Sequence, residues 1–133
     1  TAASQTVLTE KGITALDARL AAQVWDTLPQ GALVFDAHTW RAAMLTGRPT
    51  RVVSSNRSFD YEYSAEWQAL RTNPSPEAML QNGFRYVYLD EAWWGELSPT
   101  SQASLADPCI KVVAEQSDEE DFRQLLDLAG CQP

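Results

Sequence analysis

The chain has 133 residues, 44% of them hydrophobic and 21% charged, with ten Lys+Arg against eighteen Asp+Glu for a formal net charge of −8. That is the length and composition of one globular domain, and the acidic balance argues against nucleic acid as a partner, because neutralising phosphates needs a basic face. No stretch approaches the ~20 apolar residues that span a bilayer, and no signal-peptide pattern is present.

Residues 1–12 are polar and without period and read as a linker. Thr1 in place of Met fits an excised fragment or a processed product. Residues 13–133 read as a single α/β domain. Leu16, Leu20, Val24 and Leu28 recur every four positions, which predicts a helix over 13–28 with Thr14 as N-cap and Pro29 and Gly31 as its stop. Four short apolar runs follow: Ala32–Phe35 before Asp36, Arg51–Val53 before Ser54, Arg85–Leu89 before Asp90, and Cys109–Ala114 before Glu115. Their Val, Ile, Tyr and Phe content favours strands, and their near-continuous apolarity fits burial on both faces. The intervals between them exceed the roughly dozen residues that a parallel crossover needs.

Those intervals look helical. His38–Leu45 ends at Gly47, and 65–71 and 76–81 are separated by Asn73-Pro74. Ser98-Pro99 offers an N-cap followed by proline in the first turn. After the last strand, Ser117 and Glu120 read as a capping box for a helix over 118–129, with Phe122, Leu125, Leu126 and Ala129 as its core stripe and Gly130 as its end. The alternation predicts a three-layer α/β/α sandwich around a four-stranded parallel sheet, Rossmann-like in order 2-1-3-4.

In such sheets ligands sit beyond the carboxyl ends of the strands. There the sequence places Asp36, His38, Asn56, Asp90 and Trp93. Carboxylates and an amide beside an indole would suit a sugar-like ligand, although polar residues end the strands of every fold of this class. His38 would act as a base next to Asp36 or simply begin the following helix. Trp93-Trp94 is placed in a loop, where it would touch a ligand or partner or pack inward. A metal site is not indicated, since the one histidine has no second to join it and the spacing of Cys109 and Cys131 matches no zinc pattern. No cofactor is indicated either: the glycine fingerprints for dinucleotides and nucleoside triphosphates and the G-x-S-x-G elbow are absent. Asn56-Arg57-Ser58 fits a glycosylation sequon, a triplet that chance also supplies.

Several stretches in order carry a resemblance. They are Val24-Trp25-Asp26-Thr27-Leu28-Pro29 leading to Gly31-Ala32-Leu33-Val34-Phe35-Asp36, then Leu45-Thr46-Gly47-Arg48-Pro49, and Gly83-Phe84-Arg85-Tyr86-Val87-Tyr88. Pro108-Cys109-Ile110-Lys111-Val112-Val113 and Phe122-Arg123-Gln124-Leu125-Leu126-Asp127-Leu128 complete the series. The succession, over roughly 13–131, resembles the soluble C-terminal domain of bacterial multi-pass membrane glycosyltransferases similar to aminoarabinose transferases and protein mannosyltransferases. That resemblance implies an accessory domain on the extracytoplasmic face of the cell membrane, with the membrane portion of the same polypeptide as partner and a saccharide or glycan acceptor as a second. The family takes its sugar from a polyprenyl-phosphate donor with acids on a loop between membrane helices, so no catalytic residue carries over to this chain. The alternative is a stand-alone or regulatory module binding a sugar-like small molecule on the same sheet.

Cys109 and Cys131 bear on the compartment. A strand over 109–115 climbs about 23 Å and a helix over 118–129 descends about 18 Å, which would bring the second cysteine back beside the first. A disulfide there would fit the oxidising compartment that the resemblance requires. Two buried free thiols in a cytosolic domain are the other possibility.

Overall fold

The computed structural model describes residues 15–24, 26–29, 31–37, 52–53 and 64–132. Helix α1 (Ala15–Val24) precedes strands β1 (Ala32–Asp36) and β2 (Val52–Val53). Helices α2 (Ala65–Thr72) and α3 (Pro76–Gln81) lead to β3 (Phe84–Asp90), and α4 (Glu91–Glu96) and α5 (Pro99–Leu105) follow it. Strands β4 (Lys111–Ser117) and β5 (Phe122–Asp127) form a hairpin, and a 3₁₀ turn (Ala129–Cys131) ends the described chain. The linker over 1–12, the Thr14 cap, the helix over 38–45, Arg51 and residues 54–63 after β2 lie outside the described residues.

The strands form one mixed sheet in the order β2-β1-β3-β5-β4. β2, β1 and β3 run parallel, whereas β5 lies antiparallel between β3 and β4. This corrects the expectation of a four-stranded all-parallel Rossmann-like sheet in order 2-1-3-4. β4 does run in the direction of β3, but one strand further out, because the segment expected to be the closing helix is β5.

The misreading of that segment has a local cause. Phe122, Leu125 and Leu126 satisfy a helical stripe, yet Phe122, Gln124 and Leu126 also alternate with Arg123, Leu125 and Asp127. The expected capping box is a turn instead: Asp118 accepts from the backbone N–H groups of Glu120 and Asp121, and its own N–H donates to the Asp121 carbonyl at 3.0 Å. An Asp or Ser that could cap a helix can equally close a hairpin turn. Trp93-Trp94 moves the other way, from expected loop to helix α4. Asp90 caps that helix, its carboxylate accepting from the Trp93 N–H at 2.8 Å.

Side-chain alternation along the strands divides the core into two. On one face α1 buries Leu20, Ala21 and Val24, with Leu28 beyond it, against Val34, Tyr86, Tyr88, Ala114 and Leu125. On the other face α2 to α5 contribute Trp67, Leu70, Met79, Trp93 and Leu105, packed with Phe35, Val87, Leu89 and Leu126. Phe35 is the hub of this second core. Its ring lies 5.4 Å from Phe84 edge-on, 5.6 Å from Trp93 and 5.9 Å from Trp67, and such ring pairs contribute about 0.5–1.5 kcal/mol each beyond area burial. Bulges interrupt two ladders, at Leu33/Val34 against β3 and at Val112/Ala114 against β5. Each inserts one extra residue and so keeps the apolar side chains on their proper faces.

Cys109 and Cys131 are joined in a disulfide with Cα atoms 4.9 Å apart. The bond spans the open end of the β4–β5 hairpin rather than linking a strand to a helix. Its neighbourhood is tight: a Cβ on Gly130 would lie 2.7 Å from the Cys109 carbonyl oxygen.

Candidate functional site at the strand ends

β1 and β3 are parallel neighbours, so their last residues, Asp36 and Asp90, reach the same end of the sheet. In register, Asp36 faces Tyr88 and Asp90 faces Arg123. Alternation puts Asp36 with Val34, Asp90 with Tyr88 and Arg123 with Leu125, all on the face that α1 covers. α1 adds Asp17, which sits in the apolar stripe of that helix between Leu16 and Leu20. Four charged side chains thus gather under one helix, and all are closed to solvent: Asp36 is 0% exposed, Asp17 2%, Asp90 3% and Arg123 3%.

Arg123 and Asp17 are the centre of a hydrogen-bonded network. The Arg123 guanidinium holds Asp17 through Nε at 2.8 Å and Asp121 through Nη1 at 2.7 Å, and Nη1 also donates to the Phe122 carbonyl at 2.9 Å. Tyr88 donates its hydroxyl to the same Asp17 oxygen. Burial pulls the Arg123 pKa down, but the hydrogen bonds and charges of Asp121 and Asp17 outweigh it, so the pKa is raised and the cation persists. Chemically the arrangement is a hydrogen-bonded ion cluster, one guanidinium held between two carboxylates, that ties α1 to the sheet.

The residues proposed from sequence therefore part company. Asp36 and Asp90 share one face and one end of the sheet, inside the protein. Trp93 lies on the opposite face, 1% exposed, and its indole N–H donates to the Arg71 carbonyl at 2.9 Å. Asp36, Asp90 and Trp93 thus form no common ligand-binding surface. His38 and Asn56 lie outside the described residues. Glu115, expected to follow the fourth strand, is inside β4, because that strand runs on to Ser117. Among the described residues, no group of three His, Cys, Asp or Glu side chains is placed to hold a metal ion.

Sequence reasoning missed Asp17, Tyr88 and Arg123. Asp17 did carry a signal, since positions 16, 17, 20, 21 and 24 are the buried residues of α1 and an acid among them needs a partner. Arg123 carried none as a helix residue. Only as the strand neighbour of Asp90 does it turn inward.

At the opposite end of the sheet Arg85 grips Asp127 with two bonds of 3.0 Å each, and the Ala129 N–H adds a third at 2.9 Å. Burial raises the Asp127 pKa, but the hydrogen bonds from Arg85 and Ala129 and the charges of Arg85 and Lys111 lower it further than burial raises it. A folded pKa below the unfolded one stabilises fully above about pH 4 and is lost as pH falls through the folded value. We therefore expect Asp127→Asn to be less stable than wild type at pH 7. Its thermal midpoint should fall less between pH 4 and pH 2, as followed by circular dichroism; parallel curves for the two proteins would refute the assignment.

The chain matches no known family profile, no curated protein and no solved structure. What the fold defines is a class: an α/β domain with a mixed five-stranded sheet, a disulfide-closed C-terminal hairpin and a buried ion cluster at the strand ends. No helix among the described residues is long and apolar enough to cross a membrane.

Proposed function

We propose that the chain is an extracytoplasmic accessory domain of a membrane-embedded glycosyltransferase that uses a lipid-linked sugar donor. It does not transfer sugar itself; it recognises the acceptor or steadies the membrane portion of the same polypeptide. The observation that carries this reading is the Cys109–Cys131 disulfide, a bond that forms and persists in oxidising compartments and is rare in the cytosol. The sequence resemblance supplies the family, and the fate of the strand-end acids supports the accessory role. Asp90 is spent on capping α4, and the helix acid Asp17 is spent on holding Arg123.

Two measurements test it. The reading frame upstream of Thr1 should encode several apolar segments of ~20 residues; a soluble upstream domain would remove the membrane reading. The isolated 133-residue chain, incubated with a polyprenyl-phosphate sugar and candidate acceptors, should yield no glycosylated product. Detectable transfer would refute the non-catalytic role.

A further inference from the structure

The helices that cover the second sheet face stop short of its β4 side. Between them and the hairpin runs an open groove of about 380 Å³. Trp94 and Leu105 wall it on the helical side, Ile110 closes one end, and Val112, Phe122 and Leu126 form its apolar floor. Val112, 47% exposed, is the one large hydrophobic side chain left exposed among the described residues. β4 is also the last strand of the sheet among the described residues, so its outer backbone edge lies beside the groove.

The charge around this groove has one sign. Asp107 lines it near Ile110, and Glu115 projects from β4 on the groove's side, where Gln124 hydrogen-bonds it. The turn that closes the hairpin beyond Phe122 carries exposed Glu119 and Glu120. The nearest cations point elsewhere: alternation sends Lys111 to the opposite face, and Arg123 is buried there with Asp17. An apolar channel with an acidic rim calls for apolar anchors set among basic residues.

We infer that this groove is a docking site for an extended segment of a protein partner, with large apolar side chains alternating with Lys or Arg, laid along β4. The apolar side chains enter between Trp94 and Val112, and the basic ones reach Asp107, Glu115 and the 119–120 turn along the groove's rim. A second copy of this chain is disfavoured by its net charge of −8. The bulge at Val112/Ala114 also blunts self-pairing of the edge. An anionic lipid surface would be repelled by the same acids. The inference does not depend on the glycosyltransferase reading and is tested without it.

The test titrates the full 133-residue chain into a fluorescein-labelled nonapeptide of alternating leucine and lysine, and into its leucine–glutamate twin, with anisotropy as readout. The lysine peptide should bind saturably and at least ~10-fold more tightly than the glutamate peptide, a gap that narrows as salt is raised. Val112→Lys should weaken it by at least ~10-fold and Glu115→Lys by a smaller factor, with both variants folded by circular dichroism. Backbone amide shifts on binding should cluster at 107–112 and 122–126. No saturable binding, equal binding of the two peptides, or binding that survives Val112→Lys would overturn the proposal. So would concentration-dependent dimerisation, or adsorption to phosphatidylglycerol vesicles, that Val112→Lys abolishes, since either assigns the groove to another occupant.

Discussion

Arg123→Met is expected to cost the fold about 3–5 kcal/mol, the range for removing one partner of a buried ion pair. The guanidinium is 3% exposed and answers two carboxylates, Asp17 at 2.8 Å and Asp121 at 2.7 Å. Without it Asp17, itself 2% exposed, keeps the Tyr88 hydroxyl but loses the cation that answers its charge in a poorly solvating site. The penalty belongs to the orphaned acid more than to the lost attraction, so a second substitution should recover part of it. Asp17→Leu combined with Arg123→Met should be more stable than Arg123→Met alone, because the apolar stripe of α1 already surrounds position 17. Urea unfolding of wild type, the two single variants and the double variant closes the cycle. A double variant as unstable as the sum of the singles would mean that the two side chains do not act as a pair.

Removing the disulfide should produce the second large effect. The bond joins residues 22 apart in sequence, and closing a loop of that length stabilises by about 3 kcal/mol on the chain-entropy model. The structure adds a local reason. The bond holds the 3₁₀ turn against the residue that leads into β4, where the Cys131 N–H donates to the Leu128 carbonyl and the Cys109 N–H to the Asp107 carboxylate. Cys109→Ser with Cys131→Ser, or reduction of the wild type, should lower the urea midpoint by the equivalent of about 3 kcal/mol. Hydrogen exchange should quicken first in β4, the outermost strand, while β1 and β3 stay protected. Two reactive thiols per chain in denaturant, on aerobically purified protein, would show that the bond does not form and would also remove the main support for an extracytoplasmic domain.

Much of this architecture is legible one segment at a time. Leu16, Leu20 and Val24 of the stripe are buried in α1 as their spacing requires. The helix stops at Val24, short of the expected 28, and Leu28 is buried from the turn beyond it. Ser98 caps α5 with Pro99 in its first turn, and the break at Asn73-Pro74 separates α2 from α3. These features depend on residues within a turn or two of each other, and capping, proline geometry and periodicity act over that range. The apolar runs around Val34 and Val87 likewise declare themselves strands by composition. The approach of Cys109 to Cys131 was also within reach, because either a helix or a strand that reverses after β4 brings the second cysteine back to the first.

Residues 122–127 were not decidable locally, since their apolar positions fit a helix and a strand alike. The decision came from β3. Beyond Tyr86, Val87, Tyr88 and Leu89, all buried, its far edge carries backbone N–H and C=O groups that need partners once water is excluded. Only a strand satisfies a row of such groups, and Phe122–Asp127 supplies it in register from Tyr86↔Asp127 to Asp90↔Arg123. That placement turns Arg123 inward and creates the ion cluster with Asp17, 106 residues earlier in the chain. Sequence alone determined the Ser98 cap, the stripe of α1 up to Val24 and most of the strands. The partner of each buried charge, the direction of the fifth strand and the closing of the strand ends under α1 were decided only when distant segments met, because desolvation has to be compensated across the whole fold and not within a turn.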